Sequence, residues 1–185
     1  PRTEAHMLIE DFMLAANRTV AGYLGELNMP CVWRVHETPD HDAMRQFDLF
    51  ARSLGCKPPK LAHIRATDLQ RFLELVHGTD AERAVNIALL RAMKRARYAH
   101  ENLGHFALGF HNYVHFTSPI RRYPDLVVHR LLRRARHDGA ERQGNGDDLS
   151  RALEEIGSHS SKMQWAADEA EREVVDLCRA QLMQD

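Results

Sequence analysis

The feature that most constrains this 185-residue chain is a spacing of three and four residues that continues from position 149 to position 181. Apolar or small side chains occupy most of this stripe, at positions 149, 153, 156, 160, 163, 167, 170, 174, 177 and 181. A period near 3.6 residues indicates one long amphipathic helix, since a strand repeats every two residues. We expect this helix to pack along the domain as far as the C-terminus.

The rest of the chain also favours helices over strands. Three- and four-residue spacing, proline and glycine stops, and one short alternating segment mark the boundaries. The predicted elements are helices at 5–28, 40–54, 68–77 and 80–97, a strand at 31–36, strands and loop at 98–116, a turn at 118–123, a helix from 124 to about 136 and an exposed loop at 138–147. This pattern predicts an α+β fold that is predominantly helical with a few strands.

Several protein classes are disfavoured by what the sequence lacks. No apolar run approaches the ~18 residues of a membrane span, and no signal-peptide pattern opens the chain. The three cysteines, Cys31, Cys56 and Cys178, are far apart and form no CxxC pair. We therefore expect a soluble cytoplasmic protein with no membrane partner and no disulfide framework.

Positive charge is concentrated in the middle of the chain. The whole sequence has a formal net charge of −1, but residues 91–136 contain ten lysines and arginines against only Glu101 and Asp125. Such a block is typical of a surface for a phosphate-bearing partner. Six aromatic residues lie among these cations: Tyr98, Phe106, Phe110, Tyr113, Phe116 and Tyr123. They could stack on single-stranded nucleic acid, or they could be core residues beneath a solvated basic face.

The segment Ser118-Pro-Ile-Arg-Arg-Tyr-Pro124 has the most unusual local sequence. Two prolines stiffen it, and Pro124 would interrupt any helix that began at Pro119, so the segment predicts a tight turn followed by a helix. Arg121 within that turn could clamp a scissile phosphodiester, because its guanidinium would be fixed where negative charge develops. The alternative is a structural salt bridge.

Two carboxylates are further candidates. Glu10 shares a helical stripe with Leu14, Asn17 and Leu24, and Glu171 flanks the seam of the last helix. Either could instead pair with an arginine. The histidines show no metal-ligand spacing, and we interpret His105, His111, His115 and His129 as packing or surface residues. No cluster of aspartates suited to divalent metal ions is present, so the sequence predicts no metal site in this chain.

A long motif resembles the ribonuclease II / ribonuclease R family. It runs from His105-Phe-Ala-Leu to His115-Phe-Thr-Ser-Pro-Ile-Arg-Arg-Tyr-Pro-Asp-Leu-Val-Val-His129. Blocks at 8–17, 34–37 and 167–176 agree in kind and order with the same family. The resemblance implies a processive, hydrolytic 3′→5′ exoribonuclease that releases nucleoside 5′-monophosphates from single-stranded RNA, with Mg²⁺ ions activating water.

The same resemblance implies roles for individual residues. Arg121 matches the catalytic arginine that contacts the scissile phosphate, and Glu10 matches a glutamate that reads the terminal ribose. Glu171 matches a glutamate near that pocket, and Arg122 and Tyr123 are implied to bind RNA beside Arg121.

The family's metal-binding aspartates, cold-shock domains and S1 domain have no counterpart here. We therefore expect residues 1–185 to be the second half of an RNB-type catalytic domain. Mg²⁺ would be held by residues upstream, the remaining half of the domain would be a partner, and this chain alone would be inactive. The alternative is a non-catalytic RNA-binding module derived from such an enzyme.

Overall fold

The computed structural model describes residues 3–60, 64–138 and 146–183. Its elements are α1 (Glu4–Glu26), β1 (Trp33–Val35), α2 (His41–Ser53), α3 (Ala66–Val76), α4 (Glu82–Ala92), β2 (Arg97–Ala99), a 3₁₀ turn (Phe106–Leu108), α5 (Tyr123–Asp138) and α6 (Gly146–Leu182). The two short strands make up one two-stranded sheet. The predicted α+β class, dominated by helices, is confirmed.

The chain divides into two compact units. The first comprises Pro1–Trp33, Arg97–Glu101 and Val114–Asp185, and the second comprises Arg34–Ala96 and Asn102–Tyr113. The first unit therefore contains α1, α5, α6 and β2, whereas the second contains α2, α3, α4 and the 3₁₀ turn. The predicted catalytic turn lies in the first unit.

In the first unit, small residues on α6 let the helix lie directly against β2. A Cβ added to Gly157 would lie 3.2 Å from the Tyr98 carbonyl oxygen, closer than ordinary van der Waals contact. One turn later, the buried Ser161 hydroxyl accepts a hydrogen bond from the Tyr98 N–H at 2.9 Å and donates one to the Gly157 carbonyl at 2.8 Å. This close approach fixes the register of the helix on the strand.

The second unit has its own apolar core. Helices α2, α3 and α4 bury a cluster of eight residues, Met44, Phe47, Ala51, Leu69, Phe72, Val76, Val85 and Leu89. The Phe47 and Phe72 rings meet edge to face with centroids 6.0 Å apart, an arrangement that aromatic pairs favour. Gly55 follows α2 with a positive φ of 77°, which confirms a glycine stop directly after the helix predicted at 40–54.

The helix predicted at 80–97 is too long. Helix α4 ends at Ala92, and Arg97–Ala99 forms β2 instead. The backbone is extended from Met93, and the next residue, Lys94, forms ion pairs with Asp40 at 2.9 Å and Glu37 at 3.4 Å. These partners, like the strand β1 with which β2 pairs, are distant in sequence, so helical spacing alone could not reveal that the chain is extended here.

The long C-terminal helix is present, but it does not pack along its whole length as expected. Its buried positions include Leu153, Gly157 and Ser161, whereas every residue from Ala166 to Met183 is exposed. The expected seam at Ala167, Ala170 and Val174 is therefore wrong for the part of the chain that the structure describes. Periodicity predicts the helix correctly, but it does not specify what lies against each face.

The predicted loop at 138–147 falls between α5 and α6, and positions 139–145 lie outside the described residues.

Two stacked histidines are buried in the second unit. The His36 and His105 rings lie with centroids 5.3 Å apart, and each Nδ1 atom is buried without a hydrogen-bond partner. Burial lowers the pKa of His105 to about 4, with smaller contributions from His36 and Arg34. Burial also lowers the pKa of His36. Both rings are thus neutral near pH 7 in the folded chain.

We expect the melting temperature to fall as the pH is lowered from about 6.5 towards 4. Over this window an unfolded histidine takes up a proton that folded His105, with its pKa of about 4, does not bind, so protons favour the unfolded chain. The free energy of unfolding should fall by about 2 kcal/mol over this pH range. His105→Phe should flatten the dependence while keeping an aromatic ring, and His111→Phe at an exposed position should not. Equal pH dependence in the two variants, measured by thermal unfolding, would contradict this assignment.

Candidate functional site

The Ser118–Arg122 segment is a hydrogen-bonded turn in the first unit. The Ser118 carbonyl accepts from the N–H groups of Arg121 and Arg122, at 3.3 and 3.0 Å. Helix α5 then begins at Tyr123. Pro124 lies in its first turn, where the missing N–H of proline costs nothing. The predicted turn followed by a helix is confirmed.

A fully buried carboxylate closes this turn. Asp125 has no exposed surface, and its Oδ2 atom accepts hydrogen bonds from the Ser118 N–H at 2.8 Å and from Arg122 Nη2 at 2.7 Å. Both bonds are charge-assisted, a class roughly twice as strong as neutral hydrogen bonds. Asp125 therefore ties the two ends of the turn to the first turn of α5.

The segment that leads into the turn is anchored as well. The Phe116 N–H donates to the buried Asn17 side chain on α1 at 2.9 Å, and its carbonyl accepts from His129 Nε2 on α5 at 2.9 Å. The Phe116 and His129 rings are stacked with centroids 3.9 Å apart. The backbone that leads into Ser118 is thus held by side chains from two helices.

The two arginines of the turn point in different directions. Arg122 is largely buried, with 20% of its side chain exposed, and its guanidinium binds Asp125. Arg121 is exposed, and the exposed fraction of Tyr123 is 52%. Because Arg122 carries the structural ion pair, Arg121 projects from a fixed backbone towards solvent, where a phosphate can reach it. Its contact with the scissile phosphate, like those of Arg122 and Tyr123 with RNA, stays a prediction.

Glu10 is more exposed than its stripe suggested. The sequence placed it on or beside the packed face of α1, but the fully buried part of that stripe begins at Asn17 and continues through Ala21 and Leu24. Glu10 lies seven residues earlier, about 10 Å along the helix axis, and is exposed. It therefore shares a helix face with the side chain that anchors Phe116, which keeps the ribose role open as a prediction.

The second glutamate is placed differently. Glu171 lies in the exposed part of α6, beyond the section that packs against β2. The structure thus brings Arg121, Arg122 and Tyr123 together in one turn, but it does not bring Glu171 into that turn.

The aromatic residues of the basic block serve mostly as packing. Tyr98 and Tyr113 are buried, three phenylalanines are partly buried, and Tyr123 is the one exposed ring of the six. The histidines are packing or surface residues, as predicted. His105 is buried, His115 forms a hydrogen bond with the Tyr98 hydroxyl at 2.9 Å, and His111 is exposed. The core interpretation of these residues is therefore favoured over a stacking platform for five of the six rings.

Sequence reasoning missed the residue that organises the site. Asp125 entered only as one of two acids in the basic block, yet it makes both bonds that close the turn. A signal was present, because Asp125 follows Arg122 by three residues, the spacing of neighbours on a helix. What the spacing could not show is that this pair is buried.

The described residues offer no site that fits a magnesium ion. Within the ranges that the structure describes, no group of three or more His, Cys, Asp or Glu side chains is arranged to hold a metal. None of the described helices is long and apolar enough to cross a membrane.

Comparison with known proteins decides the family. The model of the RNB domain matches residues 1–138, which include the turn and all of α5. The chain belongs to the RNB domain family. This result confirms the resemblance on which the residue roles were based.

The RNB-family relatives of this chain include several ribonucleases R. It is 42% identical to ribonuclease R of Aquifex aeolicus, and the match covers 98% of this chain and 25% of that protein. It is 36% identical to ribonuclease R of Escherichia coli, and that match covers 100% of this chain and 23% of that protein. The chain thus spans about a quarter of the length of these relatives. Mycoplasma genitalium RNase R in complex with double-stranded RNA superposes with a TM-score of 0.88 at 30% identity, covering 95% of this chain and 32% of that one.

A pseudonuclease shares the fold as well. Yeast Ssd1, described as a pseudonuclease, superposes with a TM-score of 0.66 at 25% identity, over 87% of this chain and 21% of that one. The fold of this segment is thus found both in ribonucleases R and in a protein described as a pseudonuclease.

Asp125→Asn should lower the free energy of unfolding by about 3 kcal/mol, because it leaves a largely buried guanidinium without its counter-charge. Asp176→Asn provides a matched control. Asp176 pairs with Arg179 at the same three-residue spacing, but both side chains are more than 60% exposed, and exposed pairs contribute ~0–1 kcal/mol. Denaturant unfolding of both variants measures the difference, and similar losses would show that burial of the Asp125 pair contributes nothing.

Proposed function

We propose that this chain is the phosphate- and ribose-binding part of a hydrolytic 3′→5′ exoribonuclease that degrades single-stranded RNA to nucleoside 5′-monophosphates. The observation that carries the proposal is the exposed Arg121 on a turn closed by buried Asp125, in a chain of the RNB family. The ribonuclease R relatives support the activity and the RNA substrate.

Arg121 acts on the transition state in this proposal. Attack on a phosphodiester gathers negative charge on the non-bridging oxygens, and a preorganised cation stabilises that charge without having to reorient during the reaction. Arginine suits this role because its planar fork can donate two parallel hydrogen bonds to a phosphate. The fixed backbone of the turn supplies the preorganisation, since Ser118, Arg122 and Asp125 are mutually bonded.

The other predicted residues bind the RNA strand around Arg121. Glu10 accepts a hydrogen bond from the 2′-hydroxyl of the terminal ribose, the group that distinguishes RNA from DNA. The exposed Tyr123 ring is available to a base or sugar, and Glu171 lies near the strand once the domain is complete. The exposed fifth of the Arg122 side chain contacts the RNA beside its ion pair with Asp125.

Hydrolysis also needs parts that lie outside this chain. We propose that the remaining half of the catalytic domain supplies the carboxylates for Mg²⁺, that the 185 residues alone do not hydrolyse RNA, and that the complete enzyme is processive and works in the cytoplasm. The exposed apolar residues on the first half of α1, such as Ile9 and Phe12 at 57% and 63% exposure, fit burial against that missing half.

A second candidate function is a non-catalytic RNA-binding module. The structural similarity to yeast Ssd1, a pseudonuclease, is the observation that favours it. The role of Arg121 distinguishes the two candidate functions. An exoribonuclease needs Arg121 for turnover, whereas an RNA-binding module would need it only for RNA affinity.

In a full-length enzyme that carries this segment, Arg121→Ala should lower kcat by ~10²–10³-fold, the usual cost of removing one preorganised transition-state contact. RNA affinity should stay nearly unchanged, because binding is spread over many phosphates. Arg121→Lys should not restore turnover, since an ammonium group cannot reproduce the fork. Single-turnover kinetics on a labelled single strand provide the measurement.

The control for Arg121 is Arg130→Ala. Arg130 is another exposed arginine of the basic block, and its loss should leave kcat close to that of the parent enzyme. A fall in affinity with turnover preserved in Arg121→Ala would favour the binding module over the exoribonuclease.

Glu10→Ala in the same enzyme should narrow the preference for a ribose over a deoxyribose 3′ end. The expected loss on RNA is about 1–3 kcal/mol in transition-state stabilisation, the range for a hydrogen bond to a charged group. Asp11→Ala is the control, because the next residue points about 100° away around the helix. Matched strands that differ only in the terminal sugar give the rates. An unchanged ribose preference with a lowered melting temperature would make Glu10 a structural residue.

A further inference from the structure

A pocket in the first unit has none of the residues of the Ser118–Arg122 turn in its lining. It has a volume of about 390 Å³ and is formed by β2 with the two residues after it on one side and by α6 on the other. The side chains that matter below are Arg97 and Glu101 on the strand side and Glu154, Lys162 and Trp165 on the helix. None of these residues was singled out as a site residue by the sequence motifs.

The walls of this pocket are fixed in place. Gly157 brings α6 within contact distance of the Tyr98 backbone, and Ser161 bonds the Tyr98 N–H at 2.9 Å. The Tyr98 hydroxyl in turn bonds His115 at 2.9 Å, three residues before Ser118. A strand and a helix packed this closely leave the opening between their side chains preformed, and its volume lies within the ~300–1,000 Å³ range of small-ligand sites.

We propose that this pocket binds one nucleotide unit of RNA, equivalent to a nucleoside 5′-monophosphate. The lining supplies a partner for each part of such a ligand. The partly buried Trp165 ring offers a face on which a base can stack. Lys162 and Arg97 bring positive charge for the phosphate, and the carboxylates of Glu101 and Glu154 can accept hydrogen bonds from ribose hydroxyls.

This mixed lining argues against simpler anions. The two carboxylates of the lining offset the charge of Arg97 and Lys162 and so weaken the attraction for free phosphate or sulfate, whereas a nucleotide also places its hydroxyl donors against them. The inference rests on the proposed function for the expectation that an RNA strand is nearby, and it assigns that strand a contact outside the catalytic turn.

The pocket can be tested on the 185-residue chain itself. Adenosine 5′-monophosphate is the probe. Its binding is measured by isothermal titration calorimetry and by tryptophan fluorescence. Trp33 is buried, with 6% exposed, so a saturable fluorescence change should come from Trp165. Adenosine and inorganic phosphate are titrated in parallel, and both should bind more weakly than the nucleotide.

Variants on α6 provide the controls. Trp165→Leu should weaken binding by ~10-fold through the loss of stacking, and Lys162→Met should weaken it by ~3-fold or more as a phosphate contact is lost. Arg172→Met removes a cation from the exposed part of the same helix and should leave the affinity unchanged. Circular dichroism establishes that each variant keeps its helices, and Lys162→Met decides the question if Trp165→Leu does not fold.

Three results would overturn the assignment. They are the absence of saturable nucleotide binding, equal losses in Lys162→Met and Arg172→Met, and phosphate that binds as tightly as the nucleotide. Because this readout involves no hydrolysis, its failure leaves the exoribonuclease proposal standing. Conversely, nucleotide binding here would persist if Arg121 proved irrelevant to turnover.

Discussion

The candidate site depends on the hydrogen bonds of a single buried carboxylate. Asp125 has no exposed surface, and it accepts from the backbone of Ser118 and from the guanidinium of Arg122. A charge removed from water is tolerated only when it is paired and hydrogen-bonded. The turn meets this requirement at Oδ2 of Asp125, whereas Oδ1 is buried without a hydrogen-bond partner. In return, Asp125 holds the turn in one shape. Asn17 and His129 hold the backbone of Phe116, two residues before Ser118, by hydrogen bonds as well.

This arrangement gives two adjacent arginines different roles. Arg122 is neutralised internally, so its charge stabilises the fold, whereas Arg121 stays exposed on the same stiff segment. An exposed arginine on a flexible loop would lose side-chain and backbone freedom on meeting a phosphate, and that loss would offset part of the interaction. Fixing the backbone in advance removes part of this cost, which is the physical reason why an arginine between two prolines suits the proposed contact with a phosphate.

Local signals in the sequence were sufficient for much of this architecture. Helical spacing predicted α1, α2, α3, α5 and α6, and the Ser-Pro…Tyr-Pro pattern predicted the turn, because both depend on neighbours within a few residues. The misses have a common cause. Just beyond the end of α4, Lys94 pairs with Glu37 and Asp40, which are distant in sequence, and the complete burial of Asp125 is a property of the folded unit that local spacing does not report. In the exposed C-terminal half of α6, the sequence predicted a packed stripe, but the stripe has no packing partner among the described residues.

The most direct test is a double-mutant cycle between Asp125 and Arg121 in a full-length enzyme that carries this segment. Asp125 is too deeply buried to touch RNA, so Asp125→Asn should lower kcat only by releasing Arg121 from its fixed position. We expect the double variant Asp125→Asn/Arg121→Ala to be no slower in single-turnover cleavage than Arg121→Ala alone, since residues that act as one unit are not additive. If Asp125→Asn retained full kcat in the folded enzyme, or if the two losses added, the buried carboxylate would not be what positions the catalytic arginine.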